Sequence, residues 1–519
     1  MGKRKVLLQN LVKSVSMLFN SLEFIFVFLP IALAVHFVAA GHGIRAAATA
    51  TTLSSLFFYA WWKPSFLPLP VLSIAFNFLL AGLMTRSPRD HARWWLIVGV
   101  TANLLVLGYF KYSDFLLSIF EQRSPTSPNV PLALSFTTFV QIAFLVECYR
   151  KAPTTPLPFY AMFVSFFPHL IAGPIVRWSE LGPQIADKDR YRPDWDNIAK
   201  GLTIFCLGIG KKVLIADKLA VFVAPVFDAA SAGEYVSAAA AWGGSIAYSL
   251  QLYFDFSGYS DMAVGLGLLF NFRLPINFAA PFRSTSIIDL WRRWHISLSR
   301  FLRDFVYAPL GGNGNGPLRR SLNLTITMVL GGLWHGANWT FIFWGAFHGI
   351  LLTINHLWRS LRGEGEASAA GRFAGWFLTF TAFAVGMTMF RSADLASAGR
   401  LLEAMTGFGH APENPPVMVG FDFWVMEKGF VTEAFVRNWL GSYWSVVGSL
   451  ATMAAFAIAI AIPDTMELVD YREGEPRSNW RRLRSPLRWT PSPAWAVAVL
   501  VLFAVVFANL GNEFLYYQF

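Results

Sequence analysis

Two histidines stand where an imidazole is costly to place. His335 lies in Gly331-Gly332-Leu333-Trp334-His335-Gly336, inside residues 321–358, a run of 38 without Asp, Glu, Lys or Arg. His295 lies in IIDLWRRWHISLSRFLRDFVY (287–307). A neutral imidazole is the side chain suited to accepting a proton near neutral pH, so each is a candidate general base. A histidine at membrane depth needs a cavity or a partner. The bland reading is a hydrogen-bonded structural histidine, the commoner fate of a lone histidine on an apolar segment.

The second segment carries apolar residues at i, i+3, i+4 spacing (Ile287, Leu290, Trp291, Trp294, Leu298, Phe301, Leu302, Phe305). The opposite face holds Asp289, Arg292, Arg293, Arg300, Arg303 and Asp304. That pattern predicts one interfacial or re-entrant amphipathic helix with His295 at the border of its faces. Its arginines suit anionic lipid headgroups, or the phosphates of an acyl donor such as coenzyme A or a phosphopantetheine carrier.

The apolar run 241–270 contains Gln251, Tyr253, Asp255, Ser257, Tyr259, Ser260 and Asp261. Two carboxylates at membrane depth are functional candidates by default; the competing reading has them capping or pinning a broken helix. Gly265-Leu266-Gly267 follows no strand and is not a nucleotide fingerprint. His348 and His356, eight apart, read as structural, and His36, His42, His91, His169 and His410 have no supporting pattern. A metal site from His295, His335 and His348 lacks a metalloprotease-type helix and a cysteine partner, so no metal is expected. Cys148 and Cys206 imply neither a disulfide framework nor a zinc site.

These groups must be positioned by elements suited to lipid. Of 519 residues 55% are hydrophobic and only 14% charged, with mean hydropathy +0.46, a composition that belongs to a bilayer. Apolar runs at 24–40, 68–83, 94–110, 132–146, 159–171, 373–390, 446–462 and 495–510 reach or approach the roughly 20 residues a tilted span needs. They show no strict alternation, which excludes a barrel. The fold expected is all-α: a polytopic bundle of about ten to thirteen spans with re-entrant or interfacial helices around a buried tunnel. The net charge of +11 sits in short loops between these runs, the mark of cytoplasmic loops and not of nucleic-acid binding.

The loop 472–488 carries six arginines and reads as cytoplasmic; the acidic segment 392–443 then reads as extracytoplasmic. The uncharged run 321–358 has basic flanks on one side of the membrane. As one helix it would measure about 57 Å, against about 30 Å of hydrocarbon, so it must break and return, with the glycines around His335 as the break. From Arg320 to His335 is about 22 Å of helix, which puts His335 deep.

The segments WRRWHISLSRFLRDFVY (291–307) and GLWHGA (332–337) resemble the membrane-bound O-acyltransferases. MLFNSLEFIFVFLPI (17–31), NLLVLGYFKYSDF (103–115), SFFPHLIAGPIVR (165–177), GIGKKVLIAD (208–217), YSLQLYFDFSGYSDMAVGLG (248–267), MTMFRSADLASAG (387–399) and EFLYYQF (513–519) are similar to the bacterial branch that acetylates polysaccharides of the alginate type. The resemblance runs from Met17 to the end, so residues 1–16 read as an extension and 17–519 as a single domain. Glu147 replaces the Asp expected in LSFTTFVQIAFLVECYR (134–150) and keeps the charge.

The resemblance implies that His335 is the catalytic residue and that His295 lines the same tunnel. Trp334, Asn338, Tyr253 and Asp255 are candidates to orient the imidazole or donate to an oxyanion, with Arg292 and Arg293 on the donor side. It further implies an acyltransferase of the bacterial inner membrane, an acyl thioester such as acetyl-coenzyme A as donor substrate with no resident cofactor, an exported polysaccharide as acceptor, and periplasmic partner proteins. The competing readings are a D-alanyl transferase of cell-wall polymer, a proton-coupled transporter or acyl conduit using the same buried carboxylates and histidine, and a scaffold.

Overall fold

The computed structural model describes residues 17–120, 130–151, 155–314, 316–363, 367–407, 446–471 and 489–509. Among them every regular element is a helix, as expected for an all-α membrane bundle. The expectations for 1–16, for most of 392–443, and for the 472–488 and 513–519 segments fall outside the described residues. Helices Pro64–Arg86, Arg89–Ile119, Trp339–Arg362 and Ala369–Arg391 are long and apolar enough to cross a bilayer, and Phe24–Ala40, Val447–Ala461 and Pro493–Phe507 are shorter apolar helices. Large apolar side chains such as Phe26, Leu72, Leu79, Leu105, Phe373 and Leu500 face outward, the arrangement a lipid-facing surface requires.

The chain divides into two compact units. The first comprises residues 1–206 and 261–275. Here the apolar run 159–171, expected as a span, is instead two short helices, Leu157–Ser165 and Phe167–Leu170. The break at Phe166 leaves a free N–H on Phe167, which donates to Ser55 Oγ at 3.1 Å. Ser55 belongs to helix Ile44–Trp62, whose Thr51, Thr52, Ser54 and Ser55 hydroxyls donate to carbonyls four residues back. Those hydroxyls depress hydropathy enough to hide the helix in the sequence, although each is satisfied locally. His36 pairs with Thr51 (2.7 Å) and His169 with the Phe163 carbonyl (3.0 Å).

The second unit comprises residues 207–260 and 276–519 and holds both candidate histidines. Its elements in chain order are α1 (Asp217–Ala232), α2 (Ala238–Leu269, whose last residues belong to the first unit), α3 (Ile287–Arg293), α4 (Ile296–Leu302), α5 (Gly316–His335), α6 (Trp339–Arg362), α7 (Ala369–Arg391) and α8 (Leu395–Thr406). α2 is continuous over 32 residues, so Asp255 and Asp261 do not mark a broken helix.

The uncharged run does break and return, at Gly336-Ala337-Asn338 between α5 and α6. Asn338 caps α6, its side chain accepting from Thr340 N–H. Gly331 and Gly332, expected in the turn, lie inside α5. Their smallness serves packing: a Cβ on Gly332 would fall 2.1 Å from the Phe341 carbonyl oxygen, one on Gly345 2.4 Å from that of Met328, and one on Gly349 2.6 Å from Thr325 Cα. α5 and α6 therefore touch backbone to backbone, the association that small residues permit in lipid.

Gly332→Ala is expected to force the hairpin apart and destabilise the protein by about 1–3 kcal/mol. Gly399→Ala on α8, with nothing within 4 Å of the added carbon, serves as the control. Thermal unfolding in detergent micelles and membrane abundance check both.

Candidate active site

His335 is the last residue of α5, and the hairpin places its ring among aromatic faces. Ring centroids lie 5.0 Å away for Phe390 of α7, 5.5 Å for Trp344 and 6.5 Å for Phe341 of α6, and 5.0 Å for Trp334. Only 8% of His335 is exposed. His295 lies 6.2 Å from His335, ring to ring, with Trp334 5.8 Å and Phe256 of α2 4.6 Å from it. Two histidines forty residues apart thus meet in one buried aromatic cluster.

The expected single amphipathic helix over 287–307 is not what positions His295. α3 stops at Arg293 and α4 starts at Ile296, with His295 between them in the left-handed region (φ 44°, ψ 53°). A side chain other than glycine there costs about 1–3 kcal/mol and persists only when its surroundings fix it. Asn277 supplies that restraint: Ile296 N–H donates to its carbonyl (3.0 Å), and Ser297 N–H (3.3 Å) and Oγ–H (2.6 Å) donate to its Oδ1. Helical periodicity persists across the kink, so the amphipathic pattern concealed it. Asn277, in the loop LPINFAAPF, carries no signal in the sequence.

The other candidates separate. Trp334 joins both histidines. Tyr253 lies one ring further out, its centroid 6.3 Å from Trp294 and close to Phe278 and Phe282. Asn338 is engaged by the α6 cap and by donating to the Ala393 carbonyl at 2.8 Å. Arg293 pairs with Asp289 at 2.9 Å and reaches the Ala279 carbonyl, whereas Arg292 is exposed. Asp255, 1% exposed, lies 3.6 Å from the Lys212 ammonium, which also bonds Asp217. Lys212 sits in a π-helical turn, Lys211–Ala216, and is itself buried. A lysine between two carboxylates in an apolar stretch is the sequence signal that reading Asp255 alone overlooked. Phe256, Trp344 and Phe390, which wall the space, are indistinguishable in sequence from other aromatics of the core.

Chemically, two imidazoles in a site of apolar rings can accept and return a proton where little water competes, as the deprotonation of a hydroxyl requires. The match to the family model of the membrane-bound O-acyltransferases covers residues 129–390, which include both histidines; the chain belongs to this family and is an acyltransferase of the membrane. It is 42% identical to the peptidoglycan O-acetyltransferase of Helicobacter pylori over 75% of this chain and 80% of that one. It is 37% identical to the probable alginate O-acetylase AlgI of Pseudomonas aeruginosa over 97% of this chain and 100% of that one. With the teichoic acid D-alanyltransferase of Bacillus subtilis it shares 26% identity over 53% of this chain and 71% of that one.

Asn277→Ala is expected to release the His295 turn, reducing acyl transfer about tenfold or more while lowering stability by about 1–2 kcal/mol; transfer rate per folded molecule distinguishes the two effects. Lys212→Ala removes a cation from the buried Asp255 and from the partly buried Asp217 and should cost about 3–5 kcal/mol in stability. Unfolding in micelles measures it, and Lys212→Arg should recover part of the loss.

Proposed function

We propose that this chain is a multi-pass acetyltransferase of the bacterial inner membrane that takes an acetyl group from a cytoplasmic thioester, acetyl-coenzyme A, and passes it across the bilayer for O-acetylation of an exported polysaccharide. The observation that carries the reading is the buried pair His335 and His295, 6.2 Å apart among aromatic rings at a helix break. The relatives named for O-acetylation align over 75–97% of the chain, against 53% for the D-alanyltransferase of Bacillus subtilis, which favours acetyl over D-alanyl as the group moved.

In this reading His335 removes the proton from an acceptor hydroxyl as its oxygen attacks the thioester carbonyl carbon. The tetrahedral intermediate collapses, the carbon–sulfur bond breaks, and the imidazolium returns its proton to the departing thiolate. The ester leaves with the acceptor and the thiol with the donor, so the step balances without an added reductant or oxidant. His295 lines the same space, and its fixed left-handed turn holds its ring toward Trp334 and His335. Periplasmic partner proteins complete the delivery to polymer.

The test is the ester acetate content of exported polysaccharide from cells carrying His335→Ala or His295→Ala, with membrane abundance measured alongside. His335→Ala is expected to lower acetate at least about a hundredfold at normal abundance. Retained acetylation in that variant would transfer the role of base to another residue and promote the conduit reading.

A further inference from the structure

One cation at the end of α7 takes no part in the mechanism above. Arg391, the last residue of that helix, is half-buried. Arg283, Arg293 and Arg400, half-buried like it, are each engaged: Arg283 by Glu467 and two carbonyls, Arg293 by Asp289, and Arg400 by the Ala230 carbonyl. Arg391 has neither a hydrogen bond nor an ion pair among the described residues; its guanidinium lies over the Phe227 ring of α1, 5.7 Å from the centroid. The Tyr248 ring of α2 packs on the same Phe227, centroids 5.8 Å apart. Tyr248 is fully buried, its hydroxyl has no partner among the described residues, and it lies within the electrostatic reach of Arg391. Native proteins pair nearly all such buried groups, and an unpartnered hydroxyl close to an unpaired guanidinium points to an anionic occupant.

Its place in the fold narrows the occupant. Phe390, the residue before Arg391, sets its ring 5.0 Å from that of His335. Successive residues of a helix turn by about 100°, so the end of α7 presents one residue to the histidine and the next to α1. That end is held from several sides. Ser245 of α2 and Thr388 share a hydrogen bond of 2.8 Å, Asn338 in the turn between α5 and α6 donates to the Ala393 carbonyl at 2.8 Å, and the Trp242 indole N–H donates to the Met405 carbonyl of α8 at 2.9 Å. The cation is therefore preorganised relative to His335. The chain leaves α7 here for the segment 392–443, whose charge reads as extracytoplasmic, the side of the acceptor. One guanidinium fork with one phenolic O–H nearby supplies a single positive charge and a few donors, a match for a carboxylate; a phosphate dianion would keep an uncompensated charge.

We propose that Arg391, backed by the Tyr248 hydroxyl, is an anion site that holds the carboxylate of an acidic sugar while a hydroxyl of that sugar approaches His335. The site rests on the reading of the acceptor given above and adds its chemical class, a uronate-type saccharide in place of a neutral one. Arg391 and Tyr248 set which acceptor binds; the proton chemistry stays with His335.

The test uses the full chain, purified in phosphatidylcholine nanodiscs, and two radiolabelled probes: a tetramer of uronic acid residues, and the same tetramer with every carboxyl group reduced to the primary alcohol. The unaltered chain is expected to bind the acidic tetramer about tenfold or more tightly than the neutral one. Arg391→Gln is expected to abolish that preference, and Arg391→Lys to keep part of it, since an ammonium has the charge without the fork. Tyr248→Phe, which keeps the ring and removes only the O–H, is expected to weaken the acidic tetramer about threefold and leave the neutral one unchanged. Arg45→Gln, an exposed arginine of the first unit, controls for general attraction by the basic chain and is expected to change neither. Equal binding of the two tetramers by the unaltered chain, or an undiminished preference in Arg391→Gln, would overturn the proposal. So would a loss of preference in Arg45→Gln as large as in Arg391→Gln, or tighter binding of tetraglutamate than of the uronate, which would give the site to a protein carboxylate. His335→Ala is expected to bind the acidic tetramer as the unaltered chain does. An Arg391-dependent preference in a chain that transfers acetate to no hydroxyl would sustain the site and sink the acetyltransferase reading.

Discussion

The backbone-to-backbone contact between α5 and α6 sets the position of everything chemical in the second unit. In lipid there is no hydrophobic drive pushing two helices together, so close packing has to come from shape. Gly332, Gly345 and Gly349 provide it, each filling a place where a single added carbon would collide with the facing backbone. The short connection Gly336-Ala337-Asn338 then needs a satisfied start for α6, which the Asn338 side chain gives by accepting from Thr340 N–H. His335 is consequently fixed at the end of a rigid hairpin, facing Trp344 on the returning helix and Phe390 on α7. A site built on helices in this way holds its geometry better than one carried on loops.

How much of this was legible depends on whether the determinant was a length or a contact. The return of the 321–358 run follows from arithmetic alone, because a bilayer cannot hold a helix of about 57 Å upright. The kink at His295 does not, since periodicity continues unchanged across it and the residue that enforces it, Asn277, is eighteen positions away in an irregular loop. Helix Ile44–Trp62 escaped notice because its hydroxyls read as polar, although in a helix they bond to their own turn. The run 159–171 erred in the opposite sense: apolar enough for a span, it is broken at Phe166 with Pro168 following, and its residues are buried in protein instead.

Asp255 has a charged partner that a reading of its own segment did not name. A carboxylate at membrane depth is expected to serve function or to be paired. Here the pairing is explicit: Lys212 lies between Asp217 and Asp255 on a π-helical turn packed against α1. A cation shared by two acids is far costlier to break than it was to form, so this group acts as a fastener between α2 and the segment before α1. Phe256, the next residue along α2, lies against His295. The chain uses adjacent positions of one helix for two purposes, a charge clamp and a wall of the site.

The composition of that wall bears on where acceptor specificity resides. The rings around His335 and His295 are those of Trp334, Trp344, Phe341, Phe390 and Phe256, side chains that exclude water and, apart from the two indole N–H groups, offer no directed hydrogen bonds with which to recognise a sugar. Relatives named for peptidoglycan and for alginate match this chain at 42% and 37% identity, so similar scaffolds accompany different named acceptors. Recognition of a polyhydroxylated acceptor requires an array of polar groups, because discrimination between sugars comes from hydrogen bonds left unpaired by the wrong one. A shared fold does not by itself fix the acceptor, which has to be argued from the polar groups at a site.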